Sequence, residues 1–169
     1  MAKLVDRNHP TLHTIAEEIT AEDFSSGVVK KIVKDLKSAL ADYGVEGFTP
    51  VAIAAPQIGV SKRVFIIVPP EDDHELPDLV AVNPVITKTS KKTQLLGEGC
   101  LSLPDLYGEV YRHKNVTFRA QDENGKEYER DTGNLLSQIV QHENDHLDGI
   151  LFTDRAEKVW SIEEQEKDQ

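Results

Sequence analysis

The chain has one cysteine in 169 residues. No intrachain disulfide can therefore staple it, and its lone thiol is packing, a reactive group or a metal ligand. Positive charge is scarce: 19 Lys and Arg stand against 30 Asp and Glu, a formal net charge of −11. That balance disfavours general binding to a polyphosphate backbone and argues against a direct, sequence-specific nucleic-acid partner. No apolar run approaches the roughly 20 residues that a membrane-spanning helix needs. The opening MAKLVDRNHP lacks both the apolar core of a signal peptide and the Arg/Ser-rich character of a transit segment. The expectation is a cytoplasmic protein with no membrane partner. Internal repeats, low-complexity stretches and linkers are also lacking. With 38% hydrophobic and 29% charged residues, the composition fits a globule the size of one domain, expected over 1–169 with a charged tail from about 156.

Thr20 and Asp23 form a capping-box pattern ahead of Phe24, Val28, Ile32, Leu36 and Leu40, spaced for one long amphipathic helix. Lys30, Lys31, Lys34 and Lys37 fall on its wet side, and Gly44 and Gly47 end it. Val51 to Gln57 is an apolar, small-residue segment, and Val64 to Val68 reads as a buried strand stopped by Pro69 and Pro70. His74 lies in an acidic loop and is expected to be solvated. Leu79 to Val82 and Val85 to Thr87 are short strands broken by Asn83-Pro84. Val116 to Ala120, the Asn124-Gly125 turn and Lys126 to Arg130 specify a β-hairpin. Helical periodicity returns from Asp131 to Asp148, Trp160 anchors the tail, and Ser161 to Gln169 frays. The expected fold is α+β: a mainly antiparallel sheet with an N-terminal helix and a C-terminal helix.

The strongest local signal is His142-Glu143-Asn144-Asp145-His146, an H-E-x-x-H pattern that this composition would produce by chance only about 0.02 times. On a helix advancing about 100° per residue, Leu136, Ile139, Val140 and Leu147 define a buried arc, and His142, Glu143 and His146 fall within or beside it. Ser137, Gln138, Gln141, Asn144 and Asp145 occupy the opposite, outer arc. Burying two imidazoles and a carboxylate is costly without partners, and a divalent cation with a water would supply one. A satisfied core histidine pair is the plainer alternative. Two histidines leave a catalytic metal site one protein ligand short. Glu163 or Glu164 would complete a zincin-type protease site, while the pattern that takes a third His after Gly149 fails because Phe152 stands there. Cys100, in Glu98-Gly99-Cys100-Leu101-Ser102-Leu103-Pro104, is the other source; alone it would read as a buried small hydrophobe.

Three segments together resemble the signature motifs of the peptide deformylases. VAIAAPQ at 51–57 resembles the family's G-φ-G-φ-A-A-x-Q segment, EGCLSLP at 98–104 its E-G-C-L-S motif, and QHENDHLDG at 141–149 its Q-H-E-x-D-H-L-x-G motif. The similarity extends from His9-Pro10 to Leu151-Phe152-Thr153-Asp154-Arg155. The resemblance implies an α+β domain whose C-terminal helix carries two ligands, with Cys100, His142 and His146 holding one divalent ion. Ferrous iron is common in the family, and zinc or nickel suits the same ligand set. It also implies the substrate class: N-formylmethionyl peptides and nascent chains, deformylated with release of formate, and possible contact with the ribosome, for which the acidic tail offers no basic helix.

In the chemistry this implies, a metal-bound water or hydroxide attacks the formyl carbonyl and Glu143 moves its proton to the leaving nitrogen. By the same resemblance, the Gln57 amide and the Leu101 N–H stabilise the oxyanion. Val51 and Leu101 are candidates to contact the methionine side chain, and the Ala52 backbone to pair with the peptide. Glu98 and Gly99 are expected to shape the Cys100 loop. Two departures bear on the peptide: Pro50 and Ala52 replace the family's two glycines, removing an N–H and adding a methyl. Two other readings compete: a zincin-like endopeptidase using Glu163 or Glu164, and a non-catalytic module that binds metal or formyl peptide.

Overall fold

The computed structural model describes residues 3–43, 49–73 and 75–161. Gly44, Gly47, His74, Glu163 and Glu164 lie outside the described residues, as does all of the expected fraying tail except Ser161.

The capping box is present: Thr20 Oγ1 accepts the Asp23 N–H, and the Asp23 carboxylate accepts the Thr20 N–H at 2.9 Å. It opens only a short helix, α1 (Ala21–Ser25), because Gly27 adopts φ 82° and breaks the run before α2 (Val28–Ala41). The single long helix expected from Phe24 to Leu40 is thus two, separated at a left-handed residue that no continuous helix contains. Helix α2 buries Val29, Ile32, Val33, Leu36 and Leu40 and exposes the four lysines; Val28, at its first position, is exposed.

Among the described residues eight strands follow: β1 (Ala52–Ala54), β2 (Val64–Ile67), β3 (Leu79–Thr89), β4 (Thr93–Cys100), β5 (Leu103–His113), β6 (Asn115–Gln121), β7 (Glu127–Gly133) and β8 (Lys158–Ser161). They form two antiparallel sheets, ordered β1-β2-β3-β6-β7 and β4-β5-β8. The expected break at Asn83-Pro84 is instead a bulge within one continuous strand. Asn83 takes φ 50° and its side-chain amide pairs with both the N–H and the C=O of Ile19 at 2.8 and 2.9 Å. The bulge absorbs the two irregular residues and lets pairing resume on β6. The β6–β7 hairpin forms as its sequence specifies. Trp160 anchors the tail by pairing opposite Tyr107, so what was expected to be a charged tail begins with a strand.

Strand β2 shows why a run of four apolar residues is wholly buried. Val64 and Ile66 belong to the cluster formed with α2, whereas Phe65 and Ile67 belong to the one formed with Phe118, Ile139, Val140 and Leu147. The latter three lie on α3 (Asn134–Leu147), so a helix covers each face of the five-stranded sheet. The second sheet and α4 (Phe152–Arg155) enclose a third cluster, which includes Cys100, Leu103, Val110 and Phe152.

The outer arc assigned to α3 is not outer. Ser137, Gln141 and Asp145 are buried because β5 of the second sheet covers that side. Gln141 accepts the His113 N–H at 3.0 Å and donates to the His113 carbonyl at 2.9 Å, and Ser137 donates to that same carbonyl at 3.0 Å. Polar residues are tolerated there because each is partnered, Ser137 and Gln141 by the His113 backbone and Asp145 by the guanidinium groups of Arg112 and Arg155.

Candidate metal centre

Three elements converge between the sheets. Strand β4 ends at Cys100, α3 supplies His142, Glu143 and His146, and the 3₁₀ turn Ala55–Ile58 after β1 supplies Gln57. One helical turn separates the two histidines, so both rings face the thiol; the rings stand edge to face with centroids 4.9 Å apart. His146 Nε2 is 3.3 Å from Cys100 Sγ. One ligand atom from each of Cys100, His142 and His146 lies within 4.8 Å of the others, and among the described residues this is the one group of three His, Cys, Asp or Glu so arranged. The cysteine is thus brought to the histidines, while Glu163 and Glu164 lie outside the described residues. Glu143 is 4% exposed, and its Oε2 is buried without a hydrogen-bond partner, as is His146 Nδ1. A buried carboxylate oxygen left unpaired beside three convergent soft and borderline donors fits a divalent cation with a water.

The Cys100 thiol and the Glu143 carboxyl are electrically perturbed. Burial alone would raise the Cys100 thiol, but His146 and His142 beside it outweigh burial and bring it well below the ordinary thiol range, which favours a thiolate ligand. Burial raises the Glu143 carboxyl, and the nearby histidines only partly offset this. Gln57 is oriented for the site: Oε1 accepts the Ala54 N–H at 2.9 Å, turning Nε2 toward Ser102 Oγ at 3.2 Å and Cys100 Sγ at 3.6 Å.

Glu98, expected only to shape the loop, holds the His142 ring. Its Oε2 is 2.9 Å from His142 Nδ1, which leaves Nε2 of that ring for the centre. Arg112 donates to both Glu98 oxygens, at 2.7 and 2.9 Å, and to Asp145 at 2.6 Å; Arg155 reaches the same Asp145 oxygen at 2.8 Å. Burial would raise the Glu98 carboxyl, yet Arg112 and His142 hold it at about 2. Sequence reasoning missed Arg112 and Asp145. Asp145 was placed on the solvent side, and nothing local ties an arginine on β5 to a helix more than 30 residues later, a separation of 33 for the Arg112–Asp145 bond.

A cleft of about 210 Å³ opens beside these groups. Val51, Ala52 and Leu101 line it as the sequence suggested, and Pro50, Leu135 and Ile139 complete apolar walls that were not anticipated. Leu135 is half exposed at this cleft.

Comparison with known proteins agrees over most of the chain. A family model described as polypeptide deformylase matches residues 1–161. The peptide deformylase of Fusobacterium nucleatum is 38% identical over 153 residues, covering 90% of this chain and 82% of that one. That of Synechocystis sp. is 30% identical over 165 residues, covering 95% and 86%. Among solved structures, a class I type b peptide deformylase from Acinetobacter baumannii with Met-Ala-Ser bound superposes with a TM-score of 0.80 at 32% identity, covering 92% of this chain and 99% of that one. A peptide deformylase from Synechococcus elongatus in complex with actinonin gives 0.77 at 32% identity, covering 92% and 78%.

Proposed function

The chain belongs to the peptide deformylase family, metalloenzymes that remove the formyl group from N-terminal methionine, and from that membership we propose how its own residues carry the reaction. Cys100, His142 and His146 hold one divalent cation, for which the mixed sulfur and nitrogen donors suit ferrous iron, with zinc or nickel as alternatives. When bound, such a cation lowers the pKa of a water and polarises the carbonyl it faces.

Glu143 receives the proton of the attacking water and delivers it to the amide nitrogen, so that the C–N bond breaks to give formate and a free methionine amine. Burial raises its carboxyl, which makes it a stronger base toward that proton than an ordinary carboxylate. The Gln57 amide, fixed by the Ala54 N–H, and the backbone N–H of Leu101 supply neutral donors to the oxyanion. Val51 and Leu101 contact the methionine side chain. The peptide extends along the free edge of β1, where Ala52 offers backbone pairing. Pro50 has no N–H to donate at that edge, so pairing is confined to the residues after it.

The observation that carries this reading is the convergence of one sulfur and two imidazoles beside an unpaired, buried Glu143 oxygen. The test is formate release from an N-formyl-Met tripeptide by metal-reconstituted protein. Stoichiometric formate and free amine support the reading. Cleavage of an internal peptide bond instead would favour an endopeptidase, and binding of the peptide without formate would favour a binding module.

A further inference from the structure

The net charge of −11 is an average over an uneven distribution. Residues 79–97 and 110–121 contain no Asp or Glu, yet hold Lys88, Lys91, Lys92, Lys114 and Arg119 besides the buried Arg112. The fold brings those two segments together. The chain leaves the five-stranded sheet from β3 to β4 and returns to it from β5 to β6, and the two crossings lie side by side. They are locked by backbone and side-chain bonds: Ser90 N–H to the Asn115 carbonyl at 2.9 Å, Lys114 N–H to the Lys92 carbonyl at 3.0 Å, and Asn115 N–H to Ser90 Oγ at 3.1 Å. Lys88, Lys91 and Lys92 are exposed and Lys114 is half-buried. None of the four forms an ion pair among the described residues. Arg119 is left aside because it sits opposite Glu129 on β7.

At about 0.1 M salt the screening length is about 10 Å, so a phosphate at contact responds to these ammoniums rather than to the charge of the whole chain. The surface between the lysines has matching chemistry. Thr89, Ser90, Asn115, Thr117 and Thr132 are among the residues lining a recess there. The Ser90, Thr117 and Thr132 hydroxyls donate to the Lys92 carbonyl, Asp131 and the Val116 carbonyl, which leaves the Thr89 hydroxyl and the Asn115 amide, donors of the kind that contact phosphate and sugar oxygens. One carboxylate, Asp131, also lines it, and its Oδ1 is taken by Thr117 Oγ1 at 2.6 Å. No aromatic ring lines the recess, so it has no stacking platform for bases.

We propose that this four-lysine pole docks the phosphate backbone of duplex RNA, without reading its sequence. The whole-chain charge disfavours general nucleic-acid binding, and the local distribution points the other way for these two crossings. The five residues of β4 from Thr93 to Gly97 at the cleft set Lys92 about 16 Å from it, so RNA held here leaves the cleft open. The inference does not rest on the proposed reaction, because binding is read without turnover.

The experiment is fluorescence anisotropy with a labelled 20-base-pair RNA duplex at about 50 mM monovalent salt, where non-specific contacts of this kind are strongest. Binding in the micromolar range is expected, with log K falling against log salt with a slope of about −3 to −4 for four phosphate contacts. The variant carrying Lys88→Gln, Lys91→Gln, Lys92→Gln and Lys114→Gln binds at least tenfold more weakly with a flatter slope. Lys30→Gln, Lys34→Gln and Lys37→Gln on α2 together change affinity less than twofold, and both variants keep wild-type formate release. If the quadruple variant does not fold, Lys91→Gln with Lys92→Gln is expected to weaken binding about threefold. Absence of binding at 100 µM protein, retained affinity in the lysine variants, or displacement of RNA by polyglutamate as readily as by unlabelled RNA would each overturn the proposal.

Discussion

The carboxylate of Glu98 and the imidazole of His142, 44 residues apart in sequence, meet at 2.9 Å, and that contact fixes which nitrogen of the ring faces the centre. Glu98 is in turn held in two bonds by Arg112, which also binds Asp145 from the same helix as His142. A line of alternating charges thus runs from the solvent-accessible Arg155 through Asp145, Arg112 and Glu98 to the His142 ring. Its worth lies in orientation: burying ion pairs adds little net stability, but leaving one member unpaired is expensive.

Glu98→Ala is expected to weaken divalent-metal affinity by about 10–100-fold, because the His142 ring loses the partner that sets its tautomer and angle. It should also lower the unfolding free energy of the metal-free protein by about 3 kcal/mol, since Arg112 loses a two-bond partner. Chelator competition reads the first effect and urea denaturation the second. Unchanged metal affinity would show that Glu98 only braces the loop.

Glu143→Gln should separate binding from chemistry. The residue is not among the ligands, so metal content stays at the wild-type level, while kcat falls by about 10²–10⁴-fold for want of a proton acceptor. Metal analysis and formate assay on the same preparation decide this.

Tyr128 provides a pH signature remote from the centre. Burial raises its phenol to about 12 from an ordinary 10, and its hydroxyl donates to the Val80 carbonyl at 2.7 Å. The neutral form is favoured in the folded state, so its contribution is fully present below about pH 10 and lost as pH rises to about 12. Urea midpoints of the wild type should therefore fall more steeply across that window than those of Tyr128→Phe, which is less stable at neutral pH. Parallel curves would contradict the assignment.

Gly149 closes the turn after α3, the helix that carries His142 and His146, at φ 72°, with Thr14 backbone atoms 2.7 Å from where a Cβ would stand. Gly149→Ala combines left-handed strain of about 1–2 kcal/mol with a backbone clash. It should lower the melting temperature by several degrees or more and loosen metal retention through His146, read by thermal denaturation with and without metal.

Much of the centre was legible in the sequence because its signals are local. His142, Glu143 and His146 share a helical arc, and Cys100 lies in a motif whose neighbours are contiguous. The hairpin at Asn124-Gly125 was legible for the same reason. What escaped depends on partners distant in the chain. Asp145 and Gln141 look like solvent-facing residues on any helical wheel, and only the second sheet, with Arg112 and the His113 backbone, makes them interior. That sheet was itself hidden, because Gly97, Gly99 and Gly108 interrupt the strand pattern of β4 and β5. Gly27 hides in a periodic run that continues in register on both sides of it. Charge, summed over the chain, concealed a lysine pole formed by two turns more than 20 residues apart.

The most direct test of the centre compares wild type and Cys100→Ser, each expressed in iron-supplemented medium, purified without air and assayed for bound metal and formate release. One metal ion per chain and formate from N-formyl-Met peptide are expected for the wild type, with both lost together in Cys100→Ser. Full metal content and activity in the variant would contradict the account, because the sulfur would then hold nothing.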